Sequence, residues 1–360
     1  MILRVPDFYD SFHCIAGKCT DTCCIGWEID IDDESAKRYS RIPGEFGDTL
    51  RRNIEDGHFK LREGDRCPFL RNDGLCDMIC HLGEDSLCDI CREHPRFVEV
   101  YGDIMEKGIG LCCEEGVRLL LDASGNEESP IAFTEREIDD EPDDIPDDAR
   151  EARDAIFEER AHLFKILADH TRPLKKRLAE IIDYAVETSG FEFEETDSQS
   201  HSAKSNEDQT NKIHNAWINV LGKGESYGPA WDKAYQVLLQ KSWTPAKLQT
   251  SARGSISSET ASVDTASDSI FTDRDGEKII AYLLFRYYEK SLFDGNSLTK
   301  VEFAVYFWIM VQKLEGSKIN AIKLLSKQTE YSEEIMEILE TEFMGNWAFS
   351  PRNFKRLLEE

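Results

Sequence analysis

The residues of this sequence that could do chemistry are its cysteines, which are confined to one end of the chain. None lies after Cys113. The full set is Cys14, Cys19, Cys23, Cys24, Cys67, Cys76, Cys80, Cys88, Cys91, Cys112 and Cys113. Thiolates are nucleophiles and metal ligands. Thiols gathered this densely could form disulfides, bind zinc, hold an iron–sulfur cluster, or serve as small buried hydrophobic residues.

Disulfide bonds are the weakest of these interpretations. The segment from Met1 to Asp10 has no basic region, no apolar run and no small-residue cleavage site, so it does not resemble an export signal. A cytoplasmic location is therefore expected, and the cytosol keeps thiols reduced. Eleven is also an odd number, which leaves at least one thiol unpaired. Metal binding explains the confinement and the spacing better than disulfides or simple burial do.

The spacing leaves zinc and iron–sulfur binding both open. The pairs Cys76–Cys80 and Cys88–Cys91 could form a zinc site, with His81 and His94 near them in the sequence. Adjacent pairs such as Cys23–Cys24 suit one tetrahedral site less well, because neighbouring side chains diverge. Iron–sulfur clusters take thiolates from dispersed positions, and the cysteines are dispersed. The spacing therefore favours iron–sulfur binding slightly.

Several motifs around these cysteines follow a pattern known from other proteins. They are Cys14-x4-Cys19-x3-Cys23-Cys24-x2-Trp27, Arg66-Cys67-Pro68-Phe69-Leu70, Gly74-Leu75-Cys76 and Cys91-Arg92-Glu93-His94-Pro95-Arg96. The first resembles the opening motif of the flagellin lysine-N-methylase family. The other three also occur in a broader group of cysteine domains described as zinc- or iron-chelating. Weaker matches in the C-terminal third, over Tyr282–Lys290, Phe293–Gly295, Lys300–Tyr306 and Tyr331–Glu334, extend the resemblance to both ends of the chain.

The resemblance implies a lysine N-methyltransferase that uses S-adenosylmethionine and carries an iron–sulfur cluster of the 4Fe–4S type, with zinc as the alternative metal. Its partner would be a protein substrate with surface lysines, flagellin or a similar filament protein. The thiols that match the family pattern, and are therefore the candidate metal ligands, are Cys14, Cys19, Cys23, Cys24, Cys67, Cys76, Cys91 and Cys112. Cys80, Cys88 and Cys113 have no counterpart in it. Eight candidates are enough for two clusters, and the sequence does not choose among them.

Two patterns that accompany S-adenosylmethionine chemistry are missing. The radical-type spacing C-x3-C-x2-C is absent, because Gly26 stands where its third cysteine would be. No glycine-rich strand–turn–helix stretch of the Rossmann type is found either. The sequence names no general base and no cofactor site. An alternative interpretation is therefore kept, a non-catalytic zinc- or iron-binding module fused to a helical interaction domain.

The net charge narrows the range of partners. The chain has 43 Lys and Arg against 71 Asp and Glu, a net charge of −28. Such a surface repels nucleic acid and anionic membranes and attracts cations such as a lysine-bearing protein. Solubility or adaptation to salt is the simpler explanation of the excess.

The hydrophobic pattern predicts a mainly α fold, with a cysteine-rich metal-binding domain (1–123), an acidic linker (124–148) and a helical bundle domain (149–360). Polar insertions are expected near 194–209 and 251–269. The helical pattern over 149–188 is interrupted at Pro173, and Val301–Val311 reads as a buried central helix, too short to span a membrane. Glu28–Asp32 alternates like a short strand, and a helix begins at Asp33. Trp27 is predicted to pack beside the metal site.

Overall fold

The computed structural model describes residues 1–26, 28–190, 206–240 and 269–359, without the side chains of residues 206 and 208. Most of these residues lie in α-helices, so the prediction of a mainly α fold is confirmed. Trp27 and nearly all of the predicted insertion 251–269 lie outside the described residues. So does the first part of the insertion near 194–209, whose last residues begin a helix.

The described strands are β1 (Ile2–Pro6), β2 (Ile54–Glu55), β3 (His58–Phe59), β4 (Arg96–Tyr101), β5 (Ile104–Ile109) and β6 (Phe133–Glu137). Four of them form a sheet in the order β4-β5-β1-β6, in which only β1 and β5 run parallel. A two-residue turn joins β4 to β5, and Gly102 adopts a φ of +70° there. Tight hairpin turns need positive φ, which glycine adopts without steric cost.

Strand β6 lies within the stretch 124–148, which the sequence presents as an acidic linker. It pairs with β1 over its whole length, and the Arg4 guanidinium bonds the Glu135 carboxylate at 2.7 Å. Residues 133–137 are therefore part of the sheet, although the sequence presents them as a linker. Their charged side chains are exposed, and Glu135 pairs with Arg4 across the two strands. The domain limits at residues 123 and 148 stay predictions.

The helices of the described residues are α1 (Asp33–Ser40), α2 (Gly44–Arg52), α3 (Asp77–Leu82), α4 (Asp89–Glu93), α5 (Glu114–Asp122), α6 (Asp147–Ala168), α7 (Leu174–Ser189), α8 (Asn206–Val220), α9 (Pro229–Gln240), α10 (Asp273–Tyr287), α11 (Ser291–Asp294), α12 (Ser297–Val311), α13 (Lys318–Thr329), α14 (Glu333–Gly345) and α15 (Pro351–Glu359). The predicted break at Pro173 falls between α6 and α7. Proline suits the residue before a helix, because the backbone N–H that it lacks would have no partner within the helix there. Every residue of α12 is buried, which confirms the central helix. None of the described helices is both long and apolar enough to cross a bilayer.

The predicted strand Glu28–Asp32 is reduced to a single bridge between Asp30 and His58. The segment does alternate between buried and less buried side chains, because Ile29 and Ile31 are buried. It does not form a strand, because only its Asp30 pairs with a neighbouring residue. The helix predicted from Asp33 is present as α1. The Asp32 carboxylate accepts a hydrogen bond from the Ser35 backbone N–H at 2.8 Å and so caps it.

Two hydrophobic cores hold the fold together. The larger one gathers α5 to α15 around α12 and also takes Phe8 and Leu111 from the N-terminal region. The smaller one lies within the cysteine-rich region, around Tyr39, Phe59 and Phe69. The sheet therefore packs with the helical bundle, and five of the eleven cysteines lie in or against the smaller core.

Buried polar contacts join the sheet to the bundle. The Arg160 guanidinium on α6 bonds the Glu106 carboxylate on β5 at 2.5 Å and also contacts the Glu289 carboxylate. Both carboxylates and the guanidinium are almost fully buried. The Tyr282 hydroxyl on α10 accepts a hydrogen bond from the Ile109 backbone N–H at 2.6 Å and donates to its carbonyl at 2.8 Å. These bonds fix the end of β5, and the chain enters Cys112–Cys113 directly after it.

Candidate metal centre

All eleven cysteines lie in the described part of the chain, and all are free thiols. Nine of them fall into two neighbouring groups, which meet at the adjacent pair Cys23–Cys24. The loop thiols are Cys14, Cys19, Cys23 and Cys113. The core thiols are Cys24, Cys67, Cys76, Cys88 and Cys91. The other two lie at the edges of these groups: Cys80 is exposed on α3 beside Cys76, and Cys112 is buried beside Cys113.

The loop thiols come from two distant segments of the chain. The hydrogen bond that Cys23 donates to Cys24 raises the pKa of Cys23, and burial and the nearby Cys14 and Cys113 raise it further. The pKa of Cys113 is raised by burial and then by Cys19 and Cys14. The parallel pairing of β1 with β5 explains this meeting, because it sets the start of α5 beside the loop that follows β1.

The core thiols lie around the smaller hydrophobic core. The Cys67 backbone N–H donates to the Cys24 carbonyl at 2.8 Å, which ties two of the sequence motifs together. Burial, together with the nearby Cys24 and Cys76, raises the pKa of Cys67 to about 12. Cys91 donates a hydrogen bond to Cys88, and this bond is the largest of the effects that raise the pKa of Cys91. Burial and the nearby Cys24 and Cys67 also raise it. Five thiols from four segments therefore share one environment.

Two thiols in these groups are poised to ionise near neutral pH. The hydrogen bond from Cys23 lowers the pKa of Cys24 to about 7, against the opposing effect of burial. The hydrogen bond from Cys91 does the same for Cys88, whose pKa is also about 7. A thiolate is the form that binds metal. In each pair a metal ion would replace the shared proton, so metal binding would release protons.

Cys112 has different surroundings. Burial raises its pKa to about 12, although a hydrogen bond from the Tyr331 hydroxyl works in the opposite direction. The Arg286 guanidinium and the Glu330 carboxylate lie close by and bond each other at 2.7 Å. Cys112 thus faces a buried polar contact on the bundle side, while Cys113 faces the loop thiols.

The described residues contain no group of three or more Cys, His, Asp or Glu side chains already arranged as a metal site. The donor set still fits a thiophilic metal, because each group offers at least the four sulfur atoms that a zinc ion or an iron–sulfur cluster takes. Seven of the eight predicted ligands fall into the two groups, and Cys112 is the exception. Cys88 and Cys113 join the groups without having been predicted. The ligand assignment itself stays a prediction.

Helix α13 contributes two lysines to the edge of the loop thiols. Lys327 bonds the Asp21 carboxylate at 2.5 Å, and Lys323 lies 3.4 Å from the same carboxylate. Lys323 also lies 3.8 Å from Glu114, whose carboxylate accepts a hydrogen bond from the Cys19 thiol at 3.6 Å. The Lys323 side chain is only 5% exposed. The C-terminal bundle therefore closes over the N-terminal cysteine loop, which the spacing of the cysteines could not indicate.

Comparison with known proteins finds similarity over part of the chain. A protein named lysine-N-methylase from Salmonella typhimurium is 28% identical over 147 residues, which cover 37% of this chain and 35% of that protein. Its counterpart from Salmonella choleraesuis matches equally. The flagellar biosynthetic protein FliU of Salmonella muenchen is 29% identical over 126 residues, 32% of this chain and 75% of that protein.

The match to the two lysine-N-methylases spans about a third of their length. No protein-family profile matches the chain, and no solved structure does. The similarity therefore supports the relationship indicated by the motifs and leaves the activity of the whole protein as a proposal.

Proposed function

We propose that this protein is a protein lysine N-methyltransferase of the cytoplasm that acts on flagellin or a similar surface filament protein. The methyl donor is S-adenosylmethionine, and the thiols hold an iron–sulfur cluster. The observation that carries this proposal is the similarity to proteins named lysine-N-methylase and FliU. The motifs described above agree with it, since they resemble the same family at both ends of the chain.

The reaction requires that the lysine lose its proton and that two cationic reactants reach the protein. The lysine nitrogen forms a bond to the methyl carbon, the carbon–sulfur bond of the sulfonium breaks, and its electron pair stays on sulfur. A protonated lysine has no free electron pair, so the amine must first lose a proton to a carboxylate or water. Both reactants are cationic, and a net charge of −28 attracts them to the protein surface.

The core thiols are the better fit for the cluster. They provide Cys24, Cys67, Cys76 and Cys91 from the predicted set, and Cys88 as a fifth donor in the same environment. When bound, an iron–sulfur cluster would supply a one-electron redox centre and tie these segments together. The loop thiols lie against the core thiols through the pair Cys23–Cys24 and offer sulfur donors for a second centre.

Methyl transfer from labelled S-adenosylmethionine tests this function. Protein purified without oxygen is incubated with a purified filament protein, and N-methyl-lysine is located by peptide mass spectrometry. We expect methylation with the wild type and with the Cys80→Ser control, and loss of methylation with Cys67→Ser. The absence of methyl-lysine from every filament protein tested, with the metal site fully loaded, would contradict the proposed methyltransferase activity.

A second candidate function is a non-catalytic zinc- or iron-binding module joined to a helical interaction domain. The specific observation in its favour is the sheet, which has one parallel strand pair and so differs from the doubly wound sheet of nucleotide-binding folds. Stoichiometric metal together with absent methyl transfer would select this candidate.

A further inference from the structure

Three residues separate the loop thiols Cys19 and Cys23, and the first of them is bound to a distant helix. The Thr20 backbone N–H donates to the Glu114 carboxylate at 2.9 Å, and the Thr20 hydroxyl also bonds that carboxylate. Glu114 is the first residue of α5 and directly follows Cys113, a third loop thiol. Its carboxylate therefore joins the two chain segments that supply the loop thiols.

Asp21 is the middle residue of this short segment, and both oxygens of its carboxylate are engaged. Oδ1 accepts a hydrogen bond from the Thr22 backbone N–H at 2.8 Å. Oδ2 bonds the Lys327 ammonium at 2.5 Å and lies 3.4 Å from the Lys323 ammonium. The Thr22 hydroxyl in turn accepts a hydrogen bond from the Cys24 backbone N–H at 3.1 Å. The conformation of the backbone from Asp21 to Cys24 therefore depends on the Asp21 carboxylate and on the lysines that orient it.

The two lysines belong to helix α13, far from the loop in sequence. Lys323 and Lys327 are about one helical turn apart and lie on the same side of α13. Their side chains are only 5% and 12% exposed. Lys323 also lies 3.8 Å from the Glu114 carboxylate, and the Lys327 ammonium lies 5.6 Å from the centre of the Tyr227 ring. A buried ammonium needs a partner, so burial of the lysines favours the loop conformation that brings Asp21 and Glu114 to them.

We propose that Lys323 and Lys327 are positioning residues for a metal centre on the loop thiols. They act through Asp21 and Glu114, whose carboxylates hold the two segments that carry these thiols. A zinc ion takes four sulfur atoms at about 2.3 Å in tetrahedral geometry, and residues that orient metal ligands typically contribute about 10–100-fold to metal affinity. The inference rests on the metal binding in the proposed function, whereas it does not require methyl transfer.

The core thiols are positioned by different residues. The Tyr39 hydroxyl on α1 donates to the Ser86 carbonyl at 2.8 Å, and the Arg38 guanidinium donates to the Leu87 carbonyl at 3.0 Å. Both carbonyls lie just before Cys88 in the chain. These contacts lie within the cysteine-rich region and do not involve α13. A change in the α13 lysines should therefore weaken metal binding by the loop thiols and leave the core thiols unaffected.

The probe is Zn²⁺, which binds thiolates and has no redox chemistry of its own. Full-length protein purified without oxygen is equilibrated with Zn²⁺ at free concentrations set by EDTA and is then treated with N-ethylmaleimide. Peptide mass spectrometry gives the zinc concentration at which each cysteine becomes protected from alkylation. In the wild type we expect the loop thiols to become protected together, because they share one centre. If zinc protects none of them at any concentration, the inference is wrong.

Lysine variants test the positioning role. In Lys327→Met and in Lys323→Met, the zinc concentration that protects the loop thiols should rise at least about tenfold, while the core thiols keep the wild-type behaviour. Lys327→Arg keeps the positive charge and should restore most of the lost affinity. Lys318→Met is the matched control on the same helix, because the Lys318 ammonium bonds the Asp275 carboxylate of α10 at 2.9 Å. It should leave the protection of every thiol unchanged.

Asp21→Asn tests the same contact from the loop, where the side chain is 36% exposed. It should also raise the protecting zinc concentration at least about tenfold, so the inference stays testable if a lysine variant does not fold. Thermal unfolding shows which variants are folded. An unchanged zinc concentration in folded Lys327→Met and Asp21→Asn would refute the positioning role. Equal weakening at the loop and core thiols, or no recovery in Lys327→Arg, would also overturn it, because the lysines would then act only on general stability.

The methyl-transfer assay separates this inference from the proposed function. If the loop thiols lose zinc affinity in Lys327→Met but the wild type methylates no lysine, the positioning role stands and the proposed function fails. If the wild type methylates the filament protein and zinc protection is unchanged in Lys327→Met, the function stands and the positioning role fails.

Discussion

Glu302 gives the sharpest prediction for the stability of the bundle. It lies in α12, fully buried, and neither carboxylate oxygen has a hydrogen-bond partner among the described residues. Burial raises the pKa of this carboxyl well above its ordinary value of 4.5, because an apolar interior disfavours the charged form. We therefore expect Glu302 to be protonated at neutral pH in the folded protein and ionised in the unfolded chain.

The sign of the pH dependence follows from this difference. The folded state binds the extra proton, so the free energy of unfolding falls as the pH rises above the ordinary pKa of the carboxyl. The fall ends once the pH passes the folded-state pKa. Each pH unit between the ordinary pKa and the folded-state pKa changes the contribution of Glu302 by about 1.4 kcal/mol.

The test is Glu302→Gln, which keeps the shape of the side chain and cannot ionise. Urea unfolding of the variant and of the wild type is followed by tryptophan fluorescence across that pH range, with the exposed Glu337→Gln as the control. The stability of Glu302→Gln relative to the wild type should increase with pH by about 1.4 kcal/mol per pH unit until the folded-state pKa is passed, and the control should show no such trend. A difference that stays constant with pH would mean that Glu302 is ionised in the folded protein, and the reasoning would be wrong.

Two further predictions concern the cysteines and the buried ion pairs. Cys67→Ser or Cys91→Ser should lower the iron content measured per chain far more than Cys80→Ser, because the first two remove core thiols and the third an exposed one; equal loss in all three would point to general unfolding. Arg160→Met should lower the free energy of unfolding by about 3–5 kcal/mol, since it leaves the buried Glu289 carboxylate without its cation and the buried Glu106 carboxylate with Arg4 alone. Urea unfolding checks this value, and a change below about 1 kcal/mol, as for an exposed pair, would contradict it.

The sequence predicts those parts of the fold that depend on local patterns. The stretch Val301–Val311, apolar except for Glu302, can be accommodated only by a helix that is buried on all sides, and Pro173 cannot continue a helix, so both predictions are confirmed. Strand β6 was missed because its residues are mostly charged and resemble a solvated segment. Its pairing depends on contacts with β1, such as Arg4 with Glu135, and these are invisible in the local sequence.

The candidate site could be predicted in its residue types but not in its grouping. The motifs single out the cysteine-rich region, and the structure brings seven of the eight predicted thiols into two neighbouring groups. Cys113 joins the loop thiols only because β1 pairs with β5, and Lys323 reaches them only because α13 packs beside α5. Such meetings between distant segments depend on tertiary packing, which leaves no periodic signal in the sequence.

The metal content of protein purified without oxygen tests most directly whether the cysteines hold an iron–sulfur cluster. We expect a brown protein with broad visible absorption that contains iron and acid-labile sulfide, because the core thiols supply the thiolates a cluster requires. The measurement combines elemental analysis, a sulfide assay and the visible spectrum on one sample. Stoichiometric zinc without sulfide, in protein kept from oxygen throughout, would contradict the iron–sulfur assignment and leave a zinc-binding protein.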